Sequence, residues 1–239
     1  AGKVMNGVFS SAVARLVPGE GQLSTLLDAK GRLIAAFELF ALADGSLRLV
    51  FFEPLRDAAV KAIQKYSFLS DIAVADRSAD VGVLSIEGPS ARRILETAAG
   101  GAALHRRELE ARSLTIAGVG GVTAVRGGET PERGFELWVP RGALELVWRA
   151  VAGALRAAGG GAAGHEAAEA LRIEAGIARQ GRDYGEENFP NDAGWEHALT
   201  YDKCYVGQEI VARMKTYGQA NRRLKGVIIA SDRVPSVPC

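Results

Sequence analysis

Hydrophobic and polar positions alternate in short blocks over the first fifty residues. Residues 23–27 form an apolar run that ends in Asp28-Ala29-Lys30-Gly31, and residues 32–42 form a second, closed by Ala43-Asp44-Gly45-Ser46. A third run covers 47–52. Turn chemistry between β-prone runs, above all the Asp44-Gly45 pair, predicts consecutive hairpins and antiparallel pairing. After Pro54 the period changes. Leu55, Ala59, Ala62, Ile63 and Tyr66 recur at spacings of three and four, which predicts a helix with one apolar face. Residues 72–75 and 81–86 read as strands, and Gly88-Pro89-Ser90 reads as the N-cap region of a short helix through Leu95. Two strands around a glycine turn are expected over 114–125, broken at Gly118, Gly120 and Gly121, with a further strand over 135–139.

Past Pro140 the residues Leu144, Val147, Trp148, Val151 and Leu155 share the face of a helix that runs into Gly159-Gly160-Gly161. Residues 165–178 are a further helix candidate, 181–200 an ordered irregular loop, and 208–214 a helix-compatible run. Residues 224–230 read as a lone strand, the expected start of a second, β-rich domain over 219–239 that follows a main region over 1–218. Hairpins mixed unevenly with helices predict an α+β fold rather than a doubly wound parallel sheet.

Composition narrows the function classes. The 239 residues include 48% apolar and 24% charged residues, with 29 lysines and arginines against 28 acids. A net charge of +1 gives no reason to expect nucleic acid or an anionic membrane as partner, so a small ligand or a protein fits better. Cys204 and Cys239 are the only cysteines, too few for a disulfide framework, and a reducing, cytoplasmic setting is expected. No uninterrupted apolar run approaches bilayer length.

Generic motifs are sparse. Residues 159–164 have P-loop glycine spacing, but His165 and Glu166 stand where Lys and Ser/Thr are needed. His105, His165 and His197 are isolated, and no resident metal is expected, although His165, His197 and Cys204 stay open as a convergent set, as does a Cys204–His197 dyad. The cations Arg213, Lys215, Arg222, Arg223 and Lys225 read either as a solvated face or as a contact for RNA phosphates or a polyglutamate tail. Cys204 carries most chemistry. It precedes a helix-compatible run, whose positive end together with Lys203 would make its sulfur a better nucleophile or soft-metal ligand. Gly207 allows close backbone approach, and Gln208 and Glu209 place acceptors beside the thiol. The alternative is a small buried apolar cysteine.

Residues 203–209, Lys203-Cys204-Tyr205-Val206-Gly207-Gln208-Glu209, resemble the Lys-Gly-Cys-Tyr-x-Gly-Gln-Glu signature of the YgfZ family, folate-binding relatives of the glycine-cleavage T-protein. The hairpin at 26–32, Lys65-Tyr66-Ser67-Phe68 with Val74-Ala75-Asp76, Gly134-Phe135-Glu136-Leu137, the segment 171–176 and Phe189-Pro190 are similar to further family blocks in the same order. The resemblance implies a T-protein-like fold, antiparallel sheets flanked by helices around an opening for tetrahydrofolate. It implies that Glu136 binds the pterin, since a carboxylate can accept hydrogen bonds from both the 2-amino and N3 positions. It implies that Arg172 serves either folate or a structural ion pair, that Tyr205 and Gly207 lie by the ligand, and that Cys204 lies near its reactive end with Lys203, Gln208 and Glu209 around it.

The function so implied is a folate-dependent accessory role in iron–sulfur cluster assembly or repair, with iron–sulfur enzymes, including tRNA-modifying ones, or cluster-assembly proteins as partners. Cys204 would then be the reactive or cluster-touching thiol. The signature's glycine between lysine and cysteine is missing here. Ala35-Ala36 also stands where the T-protein hairpin has an Asp-Asp pair whose first member serves aminomethyl transfer. The alternatives are an aminomethyltransferase and a folate sensor without chemistry.

Overall fold

The computed structural model describes residues 1–104, 107–130, 132, 134–217 and 222–230. In chain order its elements are α1 (Gly2–Met5), β1 (Gly21–Leu27), β2 (Leu33–Ala41), β3 (Leu47–Val50), α2 (Arg56–Ser67), β4 (Val81–Ile86) and α3 (Ala91–Ala98). There follow β5 (Ala111–Ile116), β6 (Val119–Gly127), β7 (Gly134–Pro140), α4 (Leu144–Ala157), α5 (His165–Glu174) and α6 (Gln208–Tyr217). They build two antiparallel sheets, β1-β2-β3 and β4-β7-β6-β5.

The first sheet is the predicted meander. Asp28 Oδ1 accepts the N–H groups of Lys30 and Arg32, both at 2.8 Å, which closes the β1–β2 turn. Asp44 Oδ1 does the same for Ser46 at 2.9 Å between β2 and β3. On one face of β2, Ala35, Phe37 and Leu39 pack with Ala59, Ala62 and Ile63 of α2 and with Phe9 from the N-terminal segment. The outer face of the second sheet is covered likewise: Val122, Ala124, Leu137 and Val139 pack with Leu95 of α3 and with Val147 and Val151 of α4.

The two sheets meet through their remaining faces. Phe40 of β2 sits edge-on to Trp138 of β7, ring centroids 4.8 Å apart, within a cluster that includes Val125. The backbone N–H of Ala111 donates to Gly19 O at 2.9 Å, and a bridge joins Glu20 to Glu110. Helices α2, α3 and α4 cover the outer faces of antiparallel sheets, which is the predicted α+β arrangement.

Four local expectations change. The β5–β6 turn falls at Ala117–Gly118, both with positive φ, so Gly120 and Gly121 belong to β6. Helix α5 stops at Glu174 because Gly176, at φ 68°, turns the chain away. Residues 72–75 belong to no sheet ladder, and Ile72 and Val74 pack against the core beside α2 instead. Residues 224–230 are exposed and form no strand; Leu224 N–H donates to Asp192 O at 2.8 Å, and apolar residues become a strand only where a neighbouring edge supplies partners. The rest of the region expected over 219–239, namely 219–221 and 231–239, lies outside the described residues.

Candidate functional site

The segment 203–209 folds as a tight loop leading into α6, and it docks on the first sheet. Gly207 has φ 80°, and a Cβ there would stand 2.5 Å from Asp28 O and 2.9 Å from Gly31 Cα, so only glycine lets this loop reach the β1–β2 turn. Tyr205 is buried with Leu27, Leu33, Ala36, Tyr184 and Val211. Among the described residues nothing hydrogen-bonds its buried hydroxyl, and burial pushes that phenol well above its usual titration range. Lys203 is half-buried. Its ammonium donates to Asn6 O at 2.6 Å and Phe9 O at 2.5 Å and lies 4.7 Å from the Tyr205 ring centroid.

Burial therefore lowers the Lys203 ammonium to about 8, against a smaller opposing pull from Asp202 and Cys204. This lysine fastens the N-terminal segment to the loop.

Cys204 itself is a free, exposed thiol, which removes the buried-cysteine alternative. It stands four residues ahead of α6, beyond the first turn where a helix end acts, so the helix-end activation expected for it is not built into this geometry. Glu209, exposed, pairs with Arg213 one turn along at 2.5 Å, and Gln208 opens α6. Of the basic stretch, Arg213 is thus paired, Arg223 bonds Glu196 at 3.2 Å, and Lys215 lies 3.8 Å from the Tyr201 ring centroid.

Glu136 belongs to the other sheet. Along β7 the period of two puts Glu136 and Trp138 on the face turned to the first sheet, with Phe135 and Leu137 in the outer core. The Trp138 indole N–H donates to Glu136 Oε2 at 3.4 Å. Burial pushes the Glu136 carboxyl above its usual range; the Trp138 bond opposes this, and the charges of Glu129 and Glu87 add to it. Gly134 lets β7 close on β4 here, since a Cβ would overlap Ile86 O at 1.9 Å. Glu87 is held by Ser85 Oγ at 2.5 Å and Thr130 Oγ1 at 2.9 Å.

Arg172 takes the structural one of its two expected roles. At 1% exposure, it donates to Glu169 at 2.6 and 3.1 Å, to Asp183 at 2.7 Å and to Ile177 O. Glu169, held also by Arg179, stays ionised down to about 2, chiefly because Arg172 donates to it. Arg179 carries the ion-pair chain on to Glu129, beside Glu136.

Strand β2 links the two groups of residues. Ala36 packs in the Tyr205 cluster and Phe40 in the Trp138 cluster, four residues and about 13 Å apart along one face. Glu38 lies between them, with a fully buried Oε2. Of the alanine pair, Ala36 belongs to this inner face, while Ala35 is enclosed among Phe9, Phe37 and Leu39. Trp138 was findable from the alternation around Glu136. No sequence signal marked Glu38, Glu129, Arg179 or Gln180. Of the candidate residues, surface hollows of about 320 Å³ beside Gln22 and His197 and about 400 Å³ beside Lys3 and Asn6 involve His197 alone, and Cys204 lines neither.

Among the described residues no helix is long and apolar enough to cross a membrane, and no group of three His, Cys, Asp or Glu side chains is placed to hold a metal ion. Comparison with known proteins gives the lineage. An aminomethyltransferase of Symbiobacterium thermophilum is 31% identical over 171 residues, 70% of this chain and 45% of its own length. One from Xanthomonas axonopodis pv. citri is 30% identical over 237 residues, 93% of this chain and 60% of its own. The chain therefore spans between 45% and 60% of these curated relatives. The crystal structure of glycine cleavage system aminomethyltransferase T from Bartonella henselae superposes with a TM-score of 0.77 over 91% of this chain and 59% of that one, at 21% identity, and so shares the fold. Residues 1–203 match the GCVT N-terminal domain, and the chain belongs to that family.

Proposed function

We propose that the chain is a tetrahydrofolate-binding protein of the YgfZ type, an accessory to iron–sulfur cluster assembly or repair with Cys204 as its working thiol. The observation that carries this reading is the exposed Cys204 beside buried Tyr205, whose cluster takes Ala36 from β2. A thiol on offer where β2 turns an alanine to the cluster, its inner-face acid Glu38 lying two residues further along, suits soft-metal or redox contact better than proton transfer to an amine.

Two features fit a folate. Glu136 is a half-buried carboxylate whose desolvation calls for donors such as the pterin 2-amino and N3–H groups. Tyr205 has a buried hydroxyl that no described group satisfies. In this reading Glu136 and Trp138 hold the pterin, and Tyr205 and Gly207 border the end near Cys204. Lys203 keeps that loop seated, and Gln208 and Glu209 shape its rim. Bound folate would supply a one-carbon carrier. The clients would be iron–sulfur enzymes, tRNA-modifying ones among them.

Calorimetric titration with tetrahydrofolate, wild type against Glu136→Ala, tests the ligand: binding by the wild type and its loss in the variant are expected. Cys204→Ala should still bind folate but fail to restore iron–sulfur enzyme activity in a strain lacking the protein. Full restoration by Cys204→Ala would overturn the role of the thiol.

A second reading, aminomethyl transfer, draws on the names of the relatives and on Glu38, which puts one carboxylate, its Oε2 buried, on the same face of β2. Turnover from an aminomethylated lipoyl carrier to tetrahydrofolate, well above background, would make it the better account.

A further inference from the structure

Arg179 is fastened to separate parts of the molecule. Its backbone N–H donates to Asp183 Oδ2 at 2.8 Å and its Nη1 to Glu169 Oε2 at 2.7 Å. Its Nη2 pairs with Glu129 in the β6–β7 connection, and its guanidinium lies 5.4 Å from the ring centroid of Phe52, just past β3. The next residue, Gln180, grips the backbone of β2 at Ile34 and Ala36. One dipeptide thus joins the central strand of the first sheet to the loop that leads into Glu136.

We infer that Arg179 is a positioning residue for Glu136: by engaging Glu129 in an ion pair it offsets a second negative charge beside Glu136 and lets Glu136 serve as an anionic acceptor near neutral pH. The inference deepens the folate reading and rests on it only for the consequence in ligand binding. Register and hydrogen bonds set the β6–β7 connection beside Glu136: Ser85 stands opposite Glu136 between β4 and β7, Ser85 Oγ bonds Glu87, and the Glu129 N–H donates to Glu87 Oε1 at 3.4 Å. Glu87 and Glu129 are thus the acids whose charges act on Glu136, while Glu38 on β2 and Arg48 on β3, the latter 5.2 Å from the Trp138 ring centroid, belong to the facing sheet. Glu129 is the one of these that Arg179 binds. Like charge disfavours ionisation and a neighbouring cation favours it, so the sign of each substitution is fixed.

The test is a ¹³C NMR titration of the Glu136 carboxyl in the ligand-free protein, assigned by its absence in Glu136→Gln. Arg179→Gln should raise the Glu136 midpoint by about half a pH unit or more, modest because Glu129 is about half exposed. Arg179→Gln combined with Glu129→Gln should bring it back to the wild-type value or below. Glu129→Gln alone, which leaves Arg179 on Glu169, should lower it, and this variant decides the matter if Arg179→Gln fails to fold. Tetrahydrofolate binding by Arg179→Gln should weaken about threefold more than wild type one pH unit below the midpoint, with the difference closing above it.

An unmoved midpoint in Glu129→Gln, or a rise in Arg179→Gln that the second substitution does not reverse, would overturn the inference. Midpoints that move as stated in a protein that binds no folate would instead reject the ligand and leave the positioning role standing.

Discussion

The side-chain carbonyl of Gln180 accepts the backbone N–H of Ala36 at 2.9 Å, and the same amide donates to Ile34 O at 3.1 Å. Strand β2 is therefore paired with β1 along one edge and pinned from the C-terminal half of the chain as well.

Gln180→Ala should leave two backbone groups of β2 without these partners, at a cost of about 1–3 kcal/mol. Urea unfolding should show a lower midpoint at an unchanged slope. Gln180→Glu should not rescue it, because the donor to Ile34 O is lost and a buried charge is added.

Arg172 holds Glu169 and Asp183 from a site with almost no solvent contact. Arg172→Met should destabilise the protein by about 3–5 kcal/mol, since it strands carboxylates built to meet a cation. Arg172→Lys should recover only part of this, because a point charge cannot reproduce the fork of donors. The pH dependence has a definite sign. Glu169 is held at about 2 in the folded protein, below its ordinary 4.5, so its contribution is complete above 4.5 and fades as the pH falls toward 2. Acid unfolding followed by circular dichroism should be steeper across that window in wild type than in Arg172→Met.

The sequence pattern located most of this fold for a physical reason. Hairpins with Asp28 and Asp44 turns, and helices with single apolar faces such as α2 and α4, are specified by neighbours close along the chain. Glu136 and Cys204 were legible because they lie inside recognisable family segments. Charge pairing was not. Glu129 and Arg179 are fifty residues apart, and nothing local distinguishes either from a solvated side chain. Local reasoning also misjudged Cys204 and residues 224–230. A helix end acts only if the helix begins at the thiol, and an apolar run is a strand only beside a partner, and both conditions are tertiary.

Glu136 carries a cost that its proposed ligand would offset. Its carboxyl is raised above the ordinary range by burial, so between the ordinary and the raised midpoint the folded state binds more protons than the unfolded one. Stability then falls as the pH rises through that window. Glu136→Gln removes the ionisation and should raise the melting temperature at pH 8 by about 1–3 °C, with little change at pH 4. The same variant should lose at least about tenfold in folate affinity, because one acceptor becomes a donor facing donors. Calorimetry and thermal melts on the same two proteins read both effects. A stable variant with unchanged affinity would take Glu136 out of the site.

Lys203 offers the opposite sign. Its ammonium is lowered from 10.5 to about 8 by burial, while Nζ spans Asn6 O and Phe9 O. Between about 8 and 10.5 the unfolded chain binds the proton and the folded one releases it, so this residue adds stability as the pH rises through the window. Lys203→Met keeps the apolar stem against Tyr205 and removes both the titration and the two hydrogen bonds. It should cost about 1–3 kcal/mol near pH 7.5, with faster amide exchange at residues 6–10, which the lysine ties to the loop. The stability difference between wild type and variant should then widen in favour of wild type from pH 7.5 to 9.5, below the range where tyrosines ionise. A constant or shrinking difference would mean that Lys203 stays charged in the fold and that its carbonyl contacts outweigh its burial.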